Sequence, residues 1–310
     1  MRPLPLLALL SLSSALAQIA QPVSGLTAQL PNFRLSGNVL SSGTATLTLE
    51  QKGNLLKSAR VRLPSSDTVQ AGKLFALLTD TPDLAQPFQG FLEKNAKALA
   101  GVTSSKPANV NAEGYAVSLY QDGSSLVFTV KLTETPESAF RPVTLVKGDP
   151  KAPIAIRVFS DFQCPYCEKL EKEFLLAYAR TLPKDVRLEF HHMPLESIHP
   201  NARPSAEAAE CANEQKGFWA FHDLLFADRS WVRLRDPSSA FSRLAEQAKL
   251  NTAQFAACYS SRKYKGVVDA GLAEGERVGV RGTPTVFVGP YQVPNPYDPI
   301  AYERLLGLLR

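Results

Sequence analysis

The sequence predicts an α/β domain that carries a helical insertion, preceded by a smaller α+β domain. Three observations lead there. Short alternating runs of strand character with one helix fill the chain up to about residue 135. A proline-marked connector follows over residues 136–153. Beyond it the pattern becomes β-α-β, then a long helix-rich stretch, then β-β-α. A chain of 310 residues suits about two domains at roughly 150 residues each. At 45% hydrophobic and 20% charged, it has enough apolar surface to offset the entropy of ordering its bulk. Lys and Arg (34) barely exceed Asp and Glu (29), and no block of five like charges occurs. Nucleic-acid binding needs clustered cations, so that class is set aside.

The first segment reads as an address. Met1-Arg2 supplies one positive charge, residues 4–16 are almost wholly apolar, and Ala15-Leu16-Ala17 places small residues where a signal peptidase reads. Residues 1–17 are therefore expected to be a secretory signal peptide cleaved after Ala17. The apolar stretch is too short for a membrane anchor, which needs about 20 residues. No Cys follows the cleavage site to take a lipid. The expected location is periplasmic or extracellular, where disulfides persist.

The first domain is expected over residues 24–135. FRLSGNVL (33–40), TATLTLE (44–50) and NLLKSARVRL (54–63) read as strands between Ser/Gly and Gly-Asn turns. Residues 88–100 read as a helix stopped by Gly101. Residues 115–120 and 126–132 read as strands joined by the hairpin turn Gln121-Asp122-Gly123-Ser124. This domain has no Cys and no His, so no chemistry is predicted for it. Its hairpin strands could pair between chains, which makes a homodimer or a client-recruiting role the available readings.

The second domain is expected over residues 154–310. IAIRVF (154–159) and VRLEF (186–190) are strands flanking a helix over 168–180, with apolar positions at Leu170, Phe174, Leu175 and Tyr178. Helices dominate from about 200 to 278. A strand over 285–288, a short strand over 291–293 and a helix over 300–309 close the chain. A βαβ half followed by a ββα half is a thioredoxin-like architecture, with the intervening helices as an insertion.

Cys164-Pro165-Tyr166-Cys167 stands where the first of these strands ends and the helix begins. Two Cys three apart on a first helical turn can close a small disulfide. Pro165 falls where its missing N–H costs nothing. Cys164 then meets free backbone N–H groups and the positive end of the helix dipole, which favour the nucleophilic thiolate. Lowering a thiol from ~8.5 to ~5 needs roughly 5 kcal/mol, and the dipole supplies only ~0.3–2 kcal/mol. Hydrogen bonds from amides and from the Cys167 thiol must therefore supply the rest. Cys167 is expected to be the more buried, resolving thiol. A zinc knuckle would need a second ligand pair at short spacing, which Cys211 and Cys258 do not provide. No metal and no cofactor are expected.

Far along the chain, Gly282-Thr283-Pro284-Thr285-Val286-Phe287-Val288 leads a Gly-X-Pro step into an apolar strand. The signal peptide, FSDFQCPYC, the intervening helices and VRGTPTVFV together resemble the DsbA-like branch of the thioredoxin superfamily, over residues 150–310. The resemblance implies a cis Thr283–Pro284 peptide packed on the active-site pair, freeing backbone groups to take up an extended client by strand addition. It also implies pairing of Cys164 with Cys167 and of Cys211 with Cys258. Cys211 and Cys258 both lie on apolar stripes; buried free thiols are the plain reading, but an even cysteine count in an oxidising compartment favours a structural bridge. The implied activity is thiol–disulfide exchange with reduced or unfolded client proteins, most simply as an oxidant. A membrane quinone-linked thiol oxidase would recycle it, or a reductant donor if electrons flow the other way.

The sequence departs from the family in two places. The dipeptide Pro165-Tyr166 lacks the imidazole that strong oxidants of the family often carry there. Val158 stands where thioredoxin has a buried acid in its strand. Asp161 and Glu168 are the nearest carboxyl groups, Asp161 either stabilising the turn or moving protons, Glu168 complementing the helix start. His191, His192, His199 and His222 read as surface or hydrogen-bonded core residues.

Overall fold

The computed structural model describes residues 19–112 and 114–310. The expected signal peptide, residues 1–17, lies outside the described residues. The chain forms two units that divide between Leu132 and Thr133.

The first unit is a seven-stranded antiparallel sheet with helices. Its elements are α1 (Val23–Gln29), β1 (Arg34–Ser36), β2 (Val39–Ser42), β3 (Ala45–Lys52), β4 (Leu55–Pro64), α2 (Thr68–Thr79), α3 (Ala85–Lys94), α4 (Ala96–Leu99), β5 (Ala108–Ala112), β6 (Tyr115–Asp122) and β7 (Ser125–Leu132). The strand order is β1-β2-β3-β4-β7-β6-β5. Leu47, Leu49, Val61, Leu63, Val117, Leu119, Phe128 and Val130 alternate with polar neighbours and face one core, as strands with one buried face require. Phe75 of α2 stacks on Phe88 of α3 with ring centroids 4.1 Å apart, and Phe128 meets Phe88 edge-on at 5.4 Å. Gly72 lets the two helices close, since a Cβ there would stand 2.4 Å from Ala85 O.

Two expectations are corrected in this unit. The run 33–40 is not one strand but the hairpin β1–β2, because Gly37 takes φ +58° and reverses the chain. The helix expected over 88–100 starts earlier and breaks into α3 and α4 at Asn95, whose side-chain amide donates to Phe91 O at 2.8 Å.

The second unit comprises β8 (Val146–Lys147), β9 (Ile154–Ser160), α5 (Pro165–Leu170), a π-helical segment (Glu171–Leu175), α6 (Leu176–Tyr178), β10 (Val186–His192), α7 (Ala202–Glu214), α8 (Phe218–Ala227), α9 (Ser238–Gln247), α10 (Thr252–Ser260), α11 (Lys265–Arg277), β11 (Thr285–Val288), β12 (Tyr291–Gln292) and α12 (Pro299–Leu309). The sheet order is β12-β11-β9-β10-β8, with β9 and β10 parallel and β11 antiparallel to β9. This is a thioredoxin-like fold with α7–α11 inserted between β10 and β11. Every residue of β9 is buried, as a central strand covered on both faces must be.

Residues 136–153 are not a free linker, because they are anchored into the second unit. Phe140 packs edge-on against Phe287 at 5.2 Å, Arg141 N–H donates to Glu274 Oε1 at 2.7 Å, and β8 pairs with β10. The prolines stop helix formation there without making the segment independent. The insertion has its own core around Phe221, Trp231, Phe241 and Phe255, all fully buried. Phe218 is buried in it as well, and Trp219 packs against it. A Cys211–Cys258 disulfide ties α7 to α10 there.

Candidate active site

β9 ends at Ser160, and the chain turns through Asp161-Phe162-Gln163 before α5. Cys164 is the N-cap in extended conformation (φ −66°, ψ 126°), and Pro165 is the first helical residue. Cys164 N–H closes the turn onto Asp161 O at 3.1 Å. Because β11 runs antiparallel to β9, with Thr285 opposite Phe159, the residues just before β11 lie beside this turn. The Thr283–Pro284 peptide is cis, and Cys164 Sγ–H donates to Thr283 O at 3.4 Å. Asp161 N–H donates to Cys167 Sγ at 3.5 Å. Cys164, Cys167, Asp161, Pro165, Thr283 and Pro284 thus come together from two ends of the second unit. Cys211 and Cys258 are bonded to each other and take no part.

Cys164 and Cys167 are free thiols of nearly equal exposure, 3% and 2%. Both are closed to solvent, but Cys167 is the deeper of the two as expected: burial is the largest cause of its shift, whereas at Cys164 a hydrogen bond outweighs burial. The contrast extends to acidity. A hydrogen bond from the Cys167 thiol, opposed by burial and reinforced by Thr283 and the backbone amides of Cys167 and Tyr166, brings Cys164 down to about 6. Burial, together with the charge and hydrogen bond of Cys164, pushes Cys167 well above an ordinary thiol. One sulfur is prepared to leave or attack, and the other to keep its proton. Tyr166 is 65% exposed, and its carbonyl accepts from Tyr297 Oη at 3.0 Å.

Around this pair Asp161, already singled out in the sequence, gathers partners that the sequence does not link to it. The Asp161 carboxyl is fully buried and accepts from Gln163 N–H (2.7 Å), Leu195 N–H (3.0 Å) and His199 Nδ1 (2.6 Å). Arg229 donates to Phe162 O and, at 2.7 Å, to Gln163 O, and pairs with Glu168 at 3.2 Å. Burial lowers the Arg229 guanidinium, while Glu168, Asp161 and both cysteines oppose that shift. The Gln163 side chain accepts from Asn201 N–H at 2.6 Å and donates to Val232 O at 3.0 Å. Arg229 and Asn201 carry no local motif, so only tertiary contact reveals them. His199 could have been paired with Asp161 only by knowing that the loop after β10 returns to the turn after β9. Each of the four histidines lies beside a carboxyl group: His191 by Glu274 and Glu189, His192 by Glu210, His199 by Asp161, and His222 by Asp223.

Among known proteins, the chain is similar to an Na(+)/H(+) antiporter NhaA 3 of Salinispora tropica, 35% identical over 156 residues. That match covers 49% of this chain but only 22% of the relative, so the chain spans about a fifth of the length of that protein. Among solved structures it is similar to oxidised BdbD from Bacillus subtilis (18% identity, TM-score 0.48, covering 57% of this chain and 95% of that one). It is also similar to Chlamydia trachomatis DsbA (18% identity, TM-score 0.48, covering 55% and 94%). A family model described as Thioredoxin matches residues 141–309, more than half of the chain and the whole of the redox site. Through that stretch the chain belongs to the thioredoxin family.

Proposed function

We propose that the protein is an exported oxidant of client thiols, working through Cys164 and Cys167. The observation that carries the reading is the opposed acidity of two adjacent sulfurs, one at about 6 and one well above the ordinary range. In the oxidised state Cys164 and Cys167 form a disulfide. A client thiolate attacks the Cys164 sulfur, the Cys164–Cys167 bond breaks, and Cys167 leaves and takes up a proton. A second client thiolate then attacks the client sulfur of the mixed disulfide and releases Cys164 as a thiolate. The client gains a disulfide and the protein is left with two reduced sulfurs.

The site favours that direction. A thiolate that is stable in the reduced protein makes the disulfide more oxidising. Lowering Cys164 from an ordinary value near 9 to about 6 stabilises the reduced form at pH 7 by about 1.4 kcal/mol, or ~30 mV. The Cys211–Cys258 bridge suits an oxidising compartment, and no helix among the described residues is long and apolar enough to cross a membrane. Thr283 and Pro284 form the shelf on which an extended client strand would lie, and a membrane thiol oxidase would return the protein to its disulfide form. The test is the equilibrium potential against glutathione. A value near −120 mV supports an oxidant, and one below about −230 mV makes it a reductase.

A further inference from the structure

We propose that His199, held by the buried carboxyl of Asp161, is the acid–base residue that takes the proton from an incoming client thiol. The inference deepens the oxidoreductase reading and rests on it.

The Asp161 side chain has no exposed surface, and two of its three partners are rigid backbone N–H groups, those of Gln163 and Leu195. The third is His199 Nδ1 at 2.6 Å. Because Oδ2 already accepts from Leu195 N–H, it takes Nδ1–H as a second donor, which leaves Nε2 as the ring atom with the lone pair. His199 is also the partner with an outlet to solvent. Its side chain is 15% exposed and lines a groove of about 560 Å³ together with Gln163, Pro165, Glu168, Arg229 and Arg233. Asp161 joins this histidine to the redox pair, since its backbone O accepts from Cys164 N–H and its N–H donates to Cys167 Sγ. A buried carboxyl that fixes one ring nitrogen of a histidine, in a groove also lined by Gln163 and Pro165, the two chain neighbours of Cys164, is an arrangement suited to a general base.

The other charged groups around His199 are already engaged or are not proton carriers at neutral pH. Glu168, from the active-site helix, is paired with Lys172 at 2.6 Å and with Arg229. Arg229 and Arg233, from the segment after α8, stay cationic. Glu196, on the same loop as His199, is directed to Arg203 at 2.7 Å. An imidazole is the side chain suited to exchanging protons near pH 7.

The step balances within the protein and its client. Client S–H gives its proton to His199 Nε2, and the client thiolate attacks Cys164 Sγ. A client–Cys164 S–S bond forms as the Cys164–Cys167 bond breaks, and the electron pair goes to Cys167. The client sulfur is oxidised and the enzyme disulfide is reduced; Cys167 takes up one proton from solvent as His199 returns its own to solvent through the groove, so no net proton is released.

The experiment mixes the oxidised full-length protein with a single-cysteine peptide from pH 5.5 to 9.5. Acid quenching and mass detection follow the mixed disulfide. At high pH the peptide thiol ionises by itself and a base is superfluous, so the informative quantity is the ratio of the rate at pH 6 to that at pH 9.5. This ratio is independent of how much protein is active. In His199→Gln, which keeps an amide donor for Asp161, the ratio is expected to fall about 100-fold below wild type. An unchanged ratio overturns the assignment. Should the variant fail to fold, histidine NMR of the wild type decides: the His199 titration midpoint should coincide with the inflection of the rate profile, and a separation of more than one pH unit overturns it. If the wild-type protein forms no mixed disulfide even at pH 9.5, the exchange reading itself fails, a result distinct from an unchanged ratio in an active protein.

Discussion

Cys164 and Cys167 occupy one helical turn and differ by only 1% in exposure, yet they carry opposite shifts in acidity. The hydrogen bond between them lowers Cys164 and raises Cys167, and burial, the largest cause at Cys167, widens the gap. Cys164→Ser should therefore abolish disulfide exchange. Cys167→Ala should leave Cys164 able to attack but unable to escape, so that client mixed disulfides accumulate on non-reducing gels. Retained turnover in Cys164→Ser would contradict the roles. The same shift links acidity to stability. Cys164 is depressed on folding, so the reduced protein gains stability as the pH rises from about 6 towards 9 and loses it as the pH falls through about 6. Denaturant titrations of the reduced protein at pH 5.5 and pH 7 should differ by about 1 kcal/mol more in wild type than in Cys164→Ser. The cysteine pair, Pro165 and the Thr283–Pro284 step were legible because they are contiguous motifs. Arg229, Asn201 and the His199–Asp161 contact were not, because their meaning depends on loops distant in sequence.

Among the elements, the parallel pair β9–β10 is locked by charge as well as by its ladder. Arg157, 2% exposed, stands directly opposite Glu189 in register and pairs with it at 2.9 Å. Arg187 approaches the same carboxyl at 2.7 Å, and Glu137, from the segment once expected to be a linker, also pairs with Arg157. Burial pushes Glu189 up, but His191, Arg157 and Arg187 outweigh it and bring it down to about 2. A depressed carboxyl stabilises the fold above its ordinary value, and that contribution is lost as the pH falls from about 4.5 to about 2. Glu189→Gln should cost roughly 3 kcal/mol at pH 7, since it leaves Arg157 buried with one partner fewer, and should flatten the acid limb of the stability curve. Urea unfolding at pH 7 and pH 3 checks both, and a loss that is the same at the two values contradicts the pairing. Strands were easier to read than their boundaries. Alternation marked β3, β4, β6 and β7, whereas the break at Asn95 and the reversal at Gly37 are single-residue events inside continuous patterns. α2 follows no such clear pattern. Gly72 weakens its propensity, and the apolar run Leu74-Phe75-Ala76-Leu77-Leu78 suits a strand as well as a helix.

For the whole molecule, the redox chemistry belongs to the second unit, because the first contains neither Cys nor His. The insertion depends on one covalent tie. Cys211 and Cys258 close a loop with a sequence separation of 47, and replacing both by Ala should cost about 4 kcal/mol by loop entropy. The midpoint of thermal unfolding should fall accordingly while the Cys164 acidity stays unchanged. A matching loss of that acidity would mean that the bridge also shapes the site. The two-unit plan and the fold of the second unit were legible from element order, since a βαβ half, an insertion and a ββα half leave few topologies open. The anchoring of residues 136–153 was not, because proline content reports where helices stop and says nothing of what the segment binds. The most direct test of the whole account is a titration of the reduced protein by thiolate absorbance in the ultraviolet. One sulfur should ionise with a midpoint near 6, and that step should vanish in Cys164→Ser. A first midpoint at the ordinary thiol value of about 8.5 would contradict it.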